Sequence, residues 1–294
     1  MFIDMHVHVS EKPETPRCGQ KCFSTPEHLI QRYDEVEIEK GVLQPLVSPE
    51  TYLPQSNEEI LAICERYPDR FIPFCNVDPR VATDVPRVSI AEILEYYAEK
   101  GCFGVGEVTA NLSFLDRKMD DLFSAAENLG MPLCFHIAAQ PENTYGIYDE
   151  PGLPGLQRAL QSHPDLVFLG HSQPFWAEMA ALRLPGDRYG YPQYPVDEEG
   201  VVPEMMRRYP NLYGDLSAGS GHNALARDLD YAVDFIEEFQ DRLVFATDIC
   251  APDTGTPLVD LLCNLRDENR ISEEVFDKIA RENAIKLLEL ESDE

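Results

Sequence analysis

His6 and His8 stand two residues apart in the run Phe2-Ile3-Asp4-Met5-His6-Val7-His8-Val9. The run is short, apolar and ended by Ser10-Glu11-Lys12-Pro13, so it reads as a buried strand leading into a loop. Side chains alternate along a strand, which puts both imidazoles and Asp4 on one face, the rings about 7 Å apart along it. Neutral imidazole is a favoured ligand for divalent metals, and an ion so held lowers the pKa of bound water to about 7 and polarises a carbonyl. An H-x-H pair alone is as often packed and hydrogen-bonded, so that chemistry requires partners elsewhere. Glu107, His136, His171 and Asp248 are the candidates. Each ends an otherwise apolar run, and four of the chain's seven histidines fall at such ends.

Positions 6 to 248 meet only if the fold gathers distant strand ends. Val42 to Val47, Phe71 to Val77, Cys102 to Thr109, Leu133 to Ala138, Leu166 to His171, Asn211 to Ser217 and Arg242 to Ile249 read as seven further strands. Helical patterns lie between them: Pro26 to Lys40 stopped by Gly41, a helix opened by Ser56-Asn57-Glu58-Glu59, Ser89 to Lys100, Arg117 to Asn128, and a last one from Ser272 to Leu290. Eight strands alternating with helices predict an α/β fold, a closed (β/α)8 TIM barrel with residues 1–294 as a single domain. An open doubly wound sheet would call for a glycine-rich phosphate turn after an early strand, and none is present. In a barrel the chemistry gathers at the C-terminal strand ends, where all six candidates fall. Gln173 to Gly200, after strand six, exceeds an ordinary connection and reads as a loop insertion, a lid or an oligomer contact.

With 24 Lys+Arg against 53 Asp+Glu, the formal charge of −29 repels nucleic acid and anionic membranes. The acidic residues are spread along the chain, as on a solvated surface. No apolar run approaches the roughly 20 residues that span a bilayer, and no basic leader precedes the first strand, so a cytoplasmic enzyme is expected. Eight cysteines agree with reducing conditions, because Cys75, Cys102 and Cys134 sit in apolar strand-like runs. Cys18 and Cys22 form a C-x3-C without a second pair to complete a zinc site.

The ordered set Asp4-Met5-His6-Val7-His8, Phe135-His136-Ile137, Leu169-Gly170-His171, Asp215-Leu216-Ser217, Ala246-Thr247-Asp248 and Glu282-Asn283-Ala284-Ile285-Lys286-Leu287-Leu288 resembles the amidohydrolase superfamily. It is most similar to the branch containing aminocarboxymuconate semialdehyde decarboxylase and related metal-dependent hydrolases. That resemblance implies one zinc ion, or two, with manganese or another divalent ion as a substitute, held by His6, His8, His136 and Asp248. His171 would stand beside the reacting water or substrate. Glu107 would either touch metal directly or support the ligands from behind. Val105-Gly106-Glu107-Val108 is also similar to the strand-four stretch of TatD-type nucleases, which the acidic charge opposes.

The implied activity is hydrolysis of an amide, ester or lactone, with Asp248 moving a proton and His171 stabilising the oxyanion. Nonoxidative decarboxylation is the alternative on the same scaffold. Arg80, Trp176, Arg188 and His222, together with Arg17, are the expected contacts for a small ring-bearing or carboxylate-bearing substrate. His28 and His163 read as structural. The aromatic insertion also suits a homo-oligomer interface.

Overall fold

The computed structural model describes residues 1–12, 22–51, 54–82, 89–142 and 144–290. Arg17 and Cys18 lie outside these residues. The first strand, β1 (Phe2–Val7), is buried along its whole length and pairs in parallel with β2 (Ile38–Leu43), which pairs with β3 (Phe71–Pro73). A second parallel sheet runs β4 (Val105–Val108), β5 (Leu133–Ala138), β6 (Phe168–His171), β7 (Leu212–Asp215) and β8 (Leu243–Val244). Two seams join the sheets. Cys75 bridges to Val105, and Val7 bridges to Ile249, with Asp248 N–H donating to His6 O at 2.8 Å and His8 N–H to Ile249 O at 3.0 Å. The eight strands therefore close into a (β/α)8 barrel, with a two-residue strand at Ile147–Tyr148 added against the end of β5.

Closure is driven from both sides of the sheet. Leu133, Phe135 and Ile137 of β5 pack outward with Met119, Leu122 and Phe123 of the helix Arg117–Asn128 in one apolar cluster. A smaller cluster joins Ile3, Met5, Val42, Phe74, Cys134 and Leu169 to Ala284 and Leu288 of the last helical segment. Burying each large side chain contributes about 1.5–3 kcal/mol. The polar groups are thereby concentrated at the opposite strand ends.

The strand expected at Val42 begins earlier. The helix Pro26–Glu35 stops before Glu37, whose φ of 59° is left-handed, and β2 starts at Ile38. Gly41, read as a helix stop, is a strand residue: a Cβ there would lie 2.2 Å from the Tyr33 hydroxyl. The last helix also departs from expectation. Ser272 caps Glu273–Asp277 as anticipated, but a π-helical segment, Lys278–Glu282, interrupts it before Asn283–Leu287. Residues 173–200 are partly ordered into a helix, Gln173–Ala177, and a 3-10 turn, Pro185–Tyr189. Among the described residues no helix is long and apolar enough to cross a membrane.

Candidate metal centre

β1 delivers His6 and His8 to the barrel mouth, and the seam with residues 245–249 brings Asp248 beside them. Asp248 adopts φ 54°, a left-handed conformation that Asp tolerates better than most residues. Four donor atoms converge there. His6 Nε2 lies 3.1 Å from His8 Nε2 and 3.7 Å from Glu107 Oε2, and His8 Nε2 is 3.4 Å from both Glu107 Oε2 and Asp248 Oδ1. His136 Nδ1 contacts Glu107 Oε1 at 2.8 Å, and His171 Nε2 stands 3.5 Å from the same oxygen. Donors about 2.1 Å from one ion stand about 3.0 to 3.6 Å apart for bond angles of about 90° to 120°. The separations around His8 Nε2 lie in that range, and those from His6 Nε2 to Glu107 and to Asp248, at 3.7 and 4.0 Å, are slightly wider.

The protons fit as well. His8 Nδ1 meets the Gln44 carbonyl oxygen at 2.7 Å. A carbonyl only accepts, so Nδ1 carries the proton and the neutral ring turns a bare Nε2 inward. His6 Nδ1 meets Asp215 Oδ2 at 2.7 Å. Burial opposes the Asp215 charge, but His6 outweighs it and holds the carboxyl at about 2, so this partner also accepts. Two bare nitrogens and two carboxylates thus face one space and require a positive charge. In the ion-free molecule a proton supplies it. Burial works against charging His8, yet hydrogen bonds to Asp248 and Glu107 prevail and push it up to about 9. Glu107 is held well below the usual carboxylate range: burial resists, and His136, His6 and His8 overcome it. His171 goes the other way, pushed down to about 4 by burial and then by His6. A divalent ion with nitrogen and oxygen ligands is suited to this donor set.

The cluster opens into a cavity of about 140 Å³. His8, Glu107, His136 and Asp248 form its floor, and Phe23, Leu46 and Tyr145 are apolar walls. Tyr145 lies across His136 with ring centroids 4.6 Å apart. Gly146 permits that approach, because it has φ 107° and a Cβ would come within 2.8 Å of the His136 ring.

A family model described as amidohydrolase matches residues 3–290. The chain belongs to the amidohydrolase family. A search of curated proteins gives no significant match. Among solved structures, this amidohydrolase is similar to 5-carboxyvanillate decarboxylase LigW2 from Novosphingobium aromaticivorans, solved with bound manganese: 17% identity, TM-score 0.65, covering 99% of this chain and 97% of that one. It is similar to an uncharacterized TIM-barrel protein from Bordetella bronchiseptica, at 19% identity and TM-score 0.64 with 98% of each chain covered. It is also similar to a probable 2-pyrone-4,6-dicarboxylic acid hydrolase from Acinetobacter baumannii, at 16% identity and TM-score 0.57, covering 98% of this chain and 99% of that one. At these identities the structural likeness concerns the fold, and the family match carries the assignment to a metal-dependent enzyme superfamily.

The four expected substrate contacts are not in the described lining of the cavity. Trp176 is 1% exposed and donates its indole N–H to Asp215 O at 2.8 Å, so it packs under the barrel's polar end. Arg188 is 3% exposed and bound to Glu178 at 2.7 Å and to the Asp149 carbonyl at 2.9 Å, which makes it an internal tie between residues 173–200 of the amidohydrolase and the segment at Asp149. Arg80 stands behind Glu50, donating to Glu50 and Asp78. His222 is half-buried on the helix Ala218–Ala226. His163 is structural, clasped by Asp120 and Glu127. Sequence reasoning missed Phe23, Leu46, Glu50 and Tyr145, all of which line the cavity, since none ends a strand. It registered Asp215 and Ser217 only as part of a motif, without giving them a task.

Proposed function

We propose that the protein is a divalent-metal-dependent hydrolase of a small carbonyl compound, with zinc or manganese held by His6, His8, Glu107, His136 and Asp248. The observation that carries this is the proton count. Both His6 and His8 have their protons committed to acceptors on the far side, leaving two nitrogens 3.1 Å apart with two carboxylates beside them. When bound there, the ion would polarise a carbonyl or carboxylate oxygen.

The chain's own groups do the rest. Asp248 has a side chain 25% exposed to the cavity, so it can take a proton from attacking water and deliver it to the leaving group. His171, fixed through Nδ1 on Ser217 Oγ at 2.7 Å, directs Nε2 at the same space and stabilises or relays charge there. Phe23, Leu46 and Tyr145 exclude water from the reacting face. A cavity of roughly 150 Å³ accepts one benzene ring, so the volume suits a substrate of single-ring size.

Nonoxidative decarboxylation is the second reading, favoured by the likeness to a manganese-containing decarboxylase. The same residues serve it equally well, with the proton going to carbon. The test is to load purified protein with zinc or manganese and offer lactones, esters, amides and hydroxybenzoates in ¹⁸O-labelled water. Label in the organic product supports hydrolysis, and carbon dioxide release with no label in the organic product supports the lyase. A protein that retains no divalent ion under metal analysis overturns both.

A further inference from the structure

Behind the donor cluster lies one carboxylate that touches no part of the cavity. Asp215 is 0% exposed. Its Oδ2 accepts from His6 Nδ1 at 2.7 Å and from the Cys134 thiol at 3.5 Å, and its Oδ1 accepts from the backbone N–H of Ser217 at 2.9 Å. Ser217 in turn holds His171 Nδ1 through its hydroxyl at 2.7 Å. His6 and His171 lie against each other, ring centroids 4.6 Å apart. We propose that Asp215 is the positioning residue of this site, fixing the tautomer of His6 directly and the orientation of His171 through Ser217. This rests on the metal-dependent reading for its consequence but not for its geometry.

The two oxygens of Asp215 are committed to different kinds of donor, and that makes the position intolerant of an amide. The Ser217 backbone N–H cannot become an acceptor, so in Asp215→Asn the amide oxygen must stay with it. The amide NH2 then confronts His6 Nδ1, which must accept. The ring's proton moves to Nε2, the nitrogen that faces Glu107 and Asp248, and a protonated nitrogen cannot bind an ion. Ser217→Ala removes the short hold on His171 and a marginal 3.5 Å contact of the same hydroxyl with His6 Nδ1, and it leaves the backbone N–H on Asp215, and the 2.7 Å bond from Asp215 to His6, in place.

The experiment measures zinc affinity by competition with a chromophoric chelator for wild type, Asp215→Asn and Ser217→Ala, and records ¹⁵N imidazole spectra of each ion-free protein. Expected is a 10- to 100-fold loss of zinc affinity in Asp215→Asn, with the neutral His6 ring protonated on Nε2. Ser217→Ala keeps wild-type zinc affinity, shifts chiefly the His171 signals and leaves the His6 tautomer unchanged. Unchanged zinc affinity in Asp215→Asn overturns the proposal. If Asp215→Asn does not fold, the wild-type spectrum, taken at a pH high enough to make His6 neutral, decides: a His6 carrying its proton on Nδ1 upholds it, and one protonated on Nε2 overturns it. A wild type with Nδ1–H that binds no zinc would retain the positioning role and sink the metal-dependent function instead.

Discussion

Asp4 and Asp215 are both carboxylates with no exposed surface, one bound to the backbone N–H of His6 and the other to its ring, yet they are shifted in opposite directions. Burial pushes Asp4 up to about 6, and the hydroxyls of Thr247 and Tyr33 with the backbone N–H groups of His6 and Thr247 recover only part of the loss. Asp215 meets the same burial, but the His6 imidazole outweighs it and holds the carboxyl at about 2. Four neutral donors do not replace hydration around a charge; one imidazole that can itself become charged does. Asp4 is therefore a connector, tying β1 to Thr247 through Oδ1 and Oδ2, whereas Asp215 is an electrostatic partner of the site.

The sharpest way to break this contrast is at Asp215. Removing one partner of a buried charged pair costs about 3–5 kcal/mol, so Asp215→Asn should lose that much stability in guanidinium unfolding of the ion-free protein. A loss no larger than that of Asp4→Asn would show that the two carboxylates are equivalent after all. Next in size is Gly41→Ala. Its methyl would displace the Tyr33 ring that reaches Asp4 at 2.7 Å, and overpacking of this kind costs about 1–3 kcal/mol. If instead the variant unfolds with the wild type, the Tyr33 contact is dispensable.

Asp4→Asn should be milder. One Asp4 oxygen accepts from two backbone N–H groups, and the other from the hydroxyls of Tyr33 and Thr247. Hydroxyls can reverse direction, so an amide oxygen serves the first pair and its NH2 the second. The expected loss is about 1 kcal/mol, the net worth of an imperfect hydrogen bond. The check is differential: Asp4→Asn and Asp215→Asn unfolded side by side, with near-equal midpoints contradicting the distinction between hydroxyl and imidazole partners.

Much of the scaffold was legible because it depends on local pattern. Apolar runs at strand spacing and caps such as Ser56 and Ser272 are readable one segment at a time. The donors His6, His8, Glu107, His136, His171 and Asp248 stood out because each ends such a run. What was not legible depends on partners far along the chain. Gly41 looks like a helix stop until Tyr33 is seen against it. Arg188 in an aromatic loop looks like a substrate contact until Glu178 neutralises it in the interior. The cavity walls come from loop residues with no periodicity, and Asp215 acquires its task only across 209 positions, from His6.

A third carboxylate setting sharpens the comparison with the smallest effect. Behind the cavity wall Asp78 and the cavity-lining Glu50 share the Arg80 guanidinium, whose side chain is 28% exposed. Burial opposes both charges, but Arg80 prevails and holds each below its ordinary value of 3.8 or 4.5. Water screens this group as it does not screen Asp215, so Arg80→Gln should cost less than about 1 kcal/mol at pH 7. The sign of its pH dependence follows from the lowered values. A carboxyl depressed in the folded state adds stability above its ordinary value and loses it as the pH falls through the folded one. The gap between wild type and Arg80→Gln should therefore be present at neutral pH and close in acid. Denaturant midpoints taken from neutral pH down through the carboxylate range test this, and a gap that persists unchanged in acid would mean that Arg80 acts by packing rather than by charge.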